Sequence, residues 1–301
     1  MTTGRKDVHD PARIPQIIGI ENPFETIRKT AEELLDKEIP FEGTRKALEA
    51  SASIAEIQGK AVGELVDIIS LNPGKIVSDF AEGIHAIKDE EIAVPRNAFV
   101  GLSQELLEAL GIEENDLIDI TDKVVELAGG EKIMSIPYSA FTDEMMDRLS
   151  EDFGEKATVT EAALNAAWQV VLTNIASEIH PHVTHERWDE PVCPVCGAKP
   201  EMGKFAAPEG HKFLSCPQCL TLWRHDRLKC PWCGEDNHKQ LGYFTAEEYP
   251  GYRVDFCKTC NGYLKIAVEK NLNRDFVPVV DHLNTLELDI QARNEGFEVP
   301  E

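Results

Sequence analysis

Residues 193–234 read CPVCGAKPEMGKFAAPEGHKFLSCPQCLTLWRHDRLKCPWCG, and residues 230–260 read CPWCGEDNHKQLGYFTAEEYPGYRVDFCKTC. These stretches hold all eight cysteines of the 301-residue chain, as four CxxC pairs: Cys193/Cys196, Cys216/Cys219, Cys230/Cys233 and Cys257/Cys260. Thiolates at i and i+3 fall on one side of a tight turn and grip a single ion, and two such turns complete a tetrahedral site. The two stretches are also repeats of one another. Each opens with CPxCG and continues through Gly-x-Phe (Gly203-Lys204-Phe205, Gly242-Tyr243-Phe244). Each then runs through an apolar approach, Phe213-Leu214 or Val254-Asp255-Phe256, into a second CxxC. Gaps of 19 and 23 residues between paired knuckles suit a hairpin that returns the chain to its start.

Of the three ways to pair four CxxC units, the repeat selects the sequential one. Site A is Cys193, Cys196, Cys216 and Cys219; site B is Cys230, Cys233, Cys257 and Cys260. Pro194 and Pro231 pre-set φ after the first cysteine, and Gly197 and Gly234 accept the left-handed geometry that follows the second. Backbone N–H groups in such a knuckle point at the sulfurs and stabilise thiolates. A four-sulfur site has no open coordination position, so its role is structural or one-electron, not metal-assisted hydrolysis. All-sulfur tetrahedra suit Zn and Fe alike, so the expectation is two metal ions, Zn or Fe. His185, His211, His225 and His238 then read as surface histidines, because the cysteines already saturate both metals.

Disulfides are the competing use of eight cysteines. The N-terminal MTTGRKDVHDPARIPQ lacks the apolar core of a signal peptide, and no apolar run reaches the length of a membrane span. A cytoplasmic, reducing setting fits better. A thioredoxin-type dithiol needs one CxxC opening a helix, whereas here every pair has a partner pair.

The chain carries a formal charge of −24, unevenly spread. From Glu190 to Lys265 it holds ten Lys/Arg against nine Asp/Glu, so the acidity lies elsewhere. Nucleic-acid binding needs a basic face and is disfavoured.

Residues 1–22 read as a Pro-containing arm. Residues 23–185 are helical in pattern. FETIRKTAEELLDKE after Pro23 puts Phe24, Ile27, Ala31, Leu34 and Leu35 on one face. A long helix is expected from Glu42 to Leu71, stopped by Asn72-Pro73-Gly74, followed by helices over 75–88, 102–110, 115–128 and 142–152. VTEAALNAAWQVVLTNIASEI, 159–179, begins with a cap signal at Thr160 and is apolar over much of its circumference, so it belongs at the centre of a bundle. Metal removal is expected to unfold the C-terminal module and spare the helices, whose core would not draw on the metal. LTLWRHDRLK, 220–229, reads as a strand closing site A and leading to site B, with Arg224, Arg227 and Lys229 as a small basic cluster. No Gly-rich phosphate loop, Ser nucleophile elbow or metalloprotease His/carboxylate spacing is found.

From about residue 160 onward the chain resembles the formate dehydrogenase accessory protein FdhE family. The motifs are ALNAAWQVVLTNIASEI, CPVCG, FLSCPQCLTLWRHDRLKCPWCG, LGYF, VDFCKTCNGYLK and VVDHLNTLELD, in that order. The resemblance implies an α+β chain: an N-terminal helical bundle domain, then two tandem rubredoxin-like or zinc-ribbon-like four-cysteine modules. On this basis the expected units are 186–224 (module A), 225–270 (module B) and a 271–301 segment packing back on the protein. It implies a cytoplasmic, non-enzymatic assembly factor that binds the catalytic subunit of formate dehydrogenase, the one carrying the molybdenum or tungsten pterin. It places metal ligation on the eight cysteines and partner contact on the aromatic and basic bridge, here Trp223, Arg224 and Arg227. The family pairs aspartates before the leucine where this chain has Asp281-His282-Leu283. Oligomeric state, a homodimer included, is left open. A rubredoxin-type electron carrier and a zinc-ribbon nucleic-acid-binding protein are the alternatives. The first is weakened by Leu220 and Asn261, which stand where rubredoxin-like knuckles tend to have Gly; the second is weakened by the charge.

Overall fold

A computed structural model describes residues 15–39, 41–62, 72–87, 92–128, 132–135 and 143–300. The fold is α+β, with helices first and a cysteine-bearing sheet after them. Pro23 opens α1 (Pro23–Leu35), which buries Phe24, Ile27, Ala31 and Leu34. The 3- and 4-residue spacing read from the sequence is therefore the buried stripe. α1 packs on α2 (Glu42–Ala61). The part of the expected Glu42–Leu71 helix beyond Val62 lies outside the described residues. Asn72, read from the sequence as a stop, begins a helix. Its side chain accepts from the Lys75 N–H at 3.2 Å and caps α3 (Pro73–Ala81).

α3 ends at Ala81 rather than at 88, because Gly83 turns left-handed at φ 72°. A short ladder of β2 (Ile92–Pro95), absent from the sequence reading, follows. It pairs antiparallel with β3 (Lys132–Ser135), and α4 (Arg96–Ala109) and α5 (Glu114–Ala128) lie between the two strands. α6 (Asp143–Phe153) leads to α7 (Lys156–Val183), which packs against α2, α3, α4 and α6. α7 starts before the expected cap. Thr160 is buried inside the helix, and its hydroxyl donates to the Lys156 carbonyl at 2.9 Å. Ala163, Leu164, Ala167, Trp168, Val171 and Leu172 are all buried, as an all-round apolar helix requires.

The second half is one seven-stranded sheet in the order β1-β6-β5-β4-β9-β8-β7. Two antiparallel meanders compose it: β4 (Met202–Ala206), β5 (His211–Ser215), β6 (Leu222–His225), and β7 (Leu241–Phe244), β8 (Tyr252–Cys257), β9 (Tyr263–Val268). A parallel pairing of β4 with β9, Met202 opposite Lys265, fuses them. The remaining strand comes from the N-terminal arm. β1 (Ile17–Ile18) pairs with Trp223 and Leu222 of β6. The expected strand over 220–229 is thus four residues long, and Arg227 and Lys229 lie in the turn after it.

Alternation gives the sheet two different coats. Met202, Phe213, Leu222, Tyr252 and Val254 face the C-terminal segment, meeting Phe276 before α8 (Pro278–Leu283), and Leu288 and Ala292 of α9 (Leu286–Asn294). Ile17, Leu214, Trp223, Leu264 and Ile266 join the core of the helices instead.

Candidate metal centres

The four loops that carry the cysteines are built alike. In each, the N–H of the first cysteine bonds a carbonyl five residues on. The pairs are Cys193 to Ala198, Cys216 to Thr221, Cys230 to Glu235 and Cys257 to Gly262, at 2.8–2.9 Å. Each loop then passes through a left-handed residue: Gly197 at φ 79°, Leu220 at 58°, Gly234 at 74° and Asn261 at 56°. Leu220 and Asn261 therefore take the glycine conformation without being glycine, and the objection they raised to a rubredoxin-like knuckle falls away. Trp232 N–H reaches the Cys230 sulfur at 3.4 Å, and Gln218 N–H reaches the Cys216 sulfur at 3.3 Å.

The turns bring the sulfurs together as two groups of four: Cys193, Cys196, Cys216 and Cys219, and Cys230, Cys233, Cys257 and Cys260. None is in a disulfide. In site A, Cys193–Cys219 and Cys196–Cys216 sulfurs lie 3.4 and 3.5 Å apart. In site B, Cys230–Cys260 and Cys233–Cys257 both lie 3.8 Å apart. Metal–sulfur bonds of about 2.3 Å place tetrahedral sulfurs about 3.8 Å apart, so either group fits one ion. Burial pushes the Cys196 and Cys216 thiols well above the usual range. Burial works the same way at Cys219. There, hydrogen bonds from Cys193, Cys196, Cys216 and Thr221 outweigh it and lower the thiol well below that range. Four sulfurs so enclosed become thiolates together only around a cation.

The sites differ in surroundings. In site A, Cys193, Cys196 and Cys216 are fully buried and Cys219 is 1% exposed. In site B, Cys230 and Cys257 are buried, Cys260 is half-buried and Cys233 is exposed. The turn after α3 and helix α7 grip the two knuckles of site A. The N–H groups of Ala86 and Ile87 donate to the carbonyls of Pro194 and Val195 at 2.9 and 3.2 Å. Gln169 of α7 donates to the Pro217 carbonyl at 2.7 Å, and Gln58 of α2 braces Gln169 at 2.9 Å. All four site A cysteines share one apolar core with α1–α7. The premise that the helical core does not draw on the metal is thereby corrected: that core includes the site.

Site B is backed by the C-terminal segment instead: the Glu298 N–H donates to the Asn261 carbonyl at 2.9 Å, and the Tyr263 N–H donates to the Glu298 carbonyl at 3.1 Å. Trp232 Nε1 donates to the Tyr263 carbonyl at 3.1 Å. Asp289 accepts from Lys265 at 2.7 Å and from Tyr263 at 3.0 Å. Farther from site B, on α8, which packs on α1, α2 and β4, Asp281 takes Arg274 at 2.6 Å, the Val277 N–H at 2.6 Å and the Tyr252 hydroxyl. These buried acids were not singled out in the sequence as structural, since Tyr252, Tyr263 and Lys265 come from distant strands.

Trp223 is a correction. It is fully buried in the shared core and cannot touch a partner. Arg224 is half-buried, with its guanidinium 3.3 Å from His211 Nδ1. It lines a cleft of about 370 Å³ with Gln16, His185, Arg187, His225 and Lys229. Arg227 is exposed, stacked 4.7 Å over the Phe205 ring. Arg253 covers the other part of a cation–aromatic ladder, 4.4 Å from both Phe205 and Tyr243.

Comparison with known proteins agrees with this architecture. A family profile described as "FdhE, C-terminal domain" matches residues 228–300. A "Protein FdhE homolog" of Aquifex aeolicus is 29% identical over 265 residues, spanning 85% of this chain and 87% of that one. One from Stutzerimonas stutzeri is 33% identical over 44% of each chain. The crystal structure of the FdhE protein from Pseudomonas aeruginosa superposes with a TM-score of 0.67 at 19% identity, covering 95% of this chain and 96% of that one.

Proposed function

We propose that the chain is a member of the FdhE family, an accessory protein that binds the catalytic subunit of a formate dehydrogenase and supports formation of the active enzyme. The observation that carries this reading is the pair of closed four-sulfur clusters on one sheet. Such sites hold shape or an electron, and neither leaves a coordination position for substrate. We read the eight cysteines as ligands of two ions, zinc or iron. The isolated protein is expected to show no turnover of its own. Among the described residues no helix is long and apolar enough to cross a membrane, and a cytoplasmic setting matches thiols that are all free.

Arg224 and Arg227 are the proposed contacts for the client. They stand in a nearly neutral region of a chain of net charge −24, where an acidic partner surface meets least repulsion. The test is capture of the purified catalytic subunit by the metal-loaded protein. Wild type should retain it. The Arg224→Ala/Arg227→Ala double variant should retain less, and the gap should narrow as salt rises. Equal capture by both would move the contact to the acidic helices. No capture by wild type would sink the accessory reading itself.

A second reading, an electron carrier of rubredoxin type, is favoured by one observation: Cys233 brings a site B sulfur to the surface. Iron bound there would supply one-electron chemistry. Elemental analysis with an absorption spectrum, on protein purified without oxygen, decides between a red iron protein and a colourless zinc one.

A further inference from the structure

The repeat supplies an internal control for a contact made at site A alone. The N–H of Cys216 bonds the carbonyl of Thr221, and the N–H of Cys257 bonds that of Gly262, both at 2.9 Å. Thr221 and Gly262 are thus equivalent positions, two residues beyond the last cysteine of each site. In site A the Thr221 hydroxyl lies 3.1 Å from the Cys219 sulfur. In site B no side chain exists there, and a Cβ on Gly262 would come within 3.1 Å of the Cys260 sulfur. The hydroxyl has a second neighbour. His180, in the last turns of α7, places Nε2 2.9 Å from Thr221 Oγ1. Gly19 makes room for that ring, since a Cβ at this position would fall 2.4 Å from His180 Nδ1.

With an ion bound, the Cys219 sulfur is a thiolate and can only accept. Thr221 has one proton and must give it to that sulfur. Its oxygen then accepts from His180, which fixes the imidazole as the Nε2–H tautomer. We infer that His180 and Thr221 form a relay, Nε2–H to Oγ1–H to Sγ, through which the helical domain sets how firmly site A holds its ion. Both are positioning residues: neither touches the metal. A hydrogen bond to a ligand sulfur withdraws charge from it and stabilises the thiolate, and removal of such an outer partner typically costs 10-fold or more in metal affinity.

The experiment uses the full chain loaded with Co(II), whose sulfur-to-metal charge-transfer bands report on the ligand sulfurs. Release to an excess of chelator is followed in time. Wild type should show two phases, the fast one from exposed site B and the slow one from site A. Thr221→Val should speed the slow phase about 10-fold, shift its charge-transfer band and leave the fast phase alone. Thr221→Ser, which keeps the hydroxyl, should behave as wild type. His180→Leu should act in the same direction. In the Thr221→Val background it should add nothing, because the relay is already broken. Unchanged slow-phase kinetics and bands in Thr221→Val would overturn the relay. So would additive effects of the two substitutions, which would mark His180 as packing only. If Thr221→Val fails to load site A, His180→Leu against Thr221→Ser carries the same comparison. There, an unshifted band in His180→Leu overturns the proposal.

Discussion

Site A and site B share a backbone, a sulfur set and a repeat, yet one is sealed and the other open. The difference lies in what packs around them. Site A's sulfurs lie within the core of the helices, with backbone bonds from Ala86 and Ile87 and a side-chain bond from Gln169 on its knuckles. Site B stands at the far end of the sheet order, held by the C-terminal segment, with Cys233 at the surface. The same tetrahedron can therefore do two jobs. A buried one ties two layers of a fold together, while an exposed one offers its sulfur edge to solvent or a partner.

The largest test of this contrast removes one sulfur from each site. Structural metal binding supplies folding free energy on the order of 10 kcal/mol. Cys216→Ser should strip site A and cost cooperative helical structure, because the helices and the site share one core. Cys233→Ser should leave helicity and its melting transition nearly intact. Circular dichroism melts of the two metal-loaded variants check this. Equal loss of helix in both, or persistence of the helices in Cys216→Ser, would break the contrast.

The next test is of what holds α8 against the helices and the sheet. Asp281 lies fully buried under Arg274 and the Tyr252 hydroxyl. Asp281→Ala leaves the Arg274 charge, 16% exposed, without its partner. Breaking a buried pair in this way costs about 3–5 kcal/mol. α8 packs on α1, α2 and β4, and Val277 and Val280 lie in the core that site A shares, so the loss should appear as a lower denaturant midpoint for the whole chain. Denaturant melts check this, and a stability within about 0.5 kcal/mol of wild type would mean that the pair does not hold the segment in place.

The sequence made the sites legible because their information is local. The CPxCG knuckles, their spacing and the repeat are contained in short segments, and the pairing follows from them. Helix faces were legible for the same reason, as at Phe24, Ile27, Ala31 and Leu34. What was not legible is long-range. Nothing in QIIGI announces that Ile17 and Ile18 will pair with Trp223 and Leu222 across some two hundred residues. Trp223 lies on the sheet face that joins the core of the helices, so a residue read as a surface contact became core. The sharing of one core by site A and the helices was missed likewise, since the bonds from Ala86 and Ile87 follow a helix end that Gly83 sets early. The burial of Asp281 and Asp289 was not legible either, since Tyr252 of β8 and Tyr263 and Lys265 of β9 complete their bonding.

Acid should also separate the two ends of the sheet. His225, in β6 beside site A's strand β5, is held down to about 4 by burial, with the Lys212 and Lys229 charges opposing protonation further. Its folded pKa lies below the unfolded value of about 6.5. The unfolded chain thus binds the proton first, and the stability is full above about 6.5 and lost as pH falls toward 4. His225→Asn should flatten the stability profile in that window. Denaturant melts at several pH values check this, and a profile as steep as wild type would assign the slope to other groups, His180 and His282 among them.

The smallest test asks whether the two sites weigh strain against packing differently. Leu220 and Asn261 occupy equivalent left-handed positions, at φ 58° and 56°. A β-carbon there costs about 1–2 kcal/mol, less for Asn. Glycine would relieve that cost at either place, but it also frees the unfolded chain by about 0.4–1 kcal/mol. At site B nothing else changes, because Asn261 is exposed. Asn261→Gly should therefore fall within about 0.5 kcal/mol of wild type. At site A, Leu220 is 2% exposed and packs in the shared core. Its removal forfeits about 2–5 kcal/mol of burial and packing, which exceeds the strain released. Leu220→Gly should therefore destabilise the chain where Asn261→Gly does not. Paired denaturant melts measure the difference. Stabilisation by Leu220→Gly would mean that strain outweighs packing at site A, and that the helices grip the knuckle less firmly than their hydrogen bonds indicate.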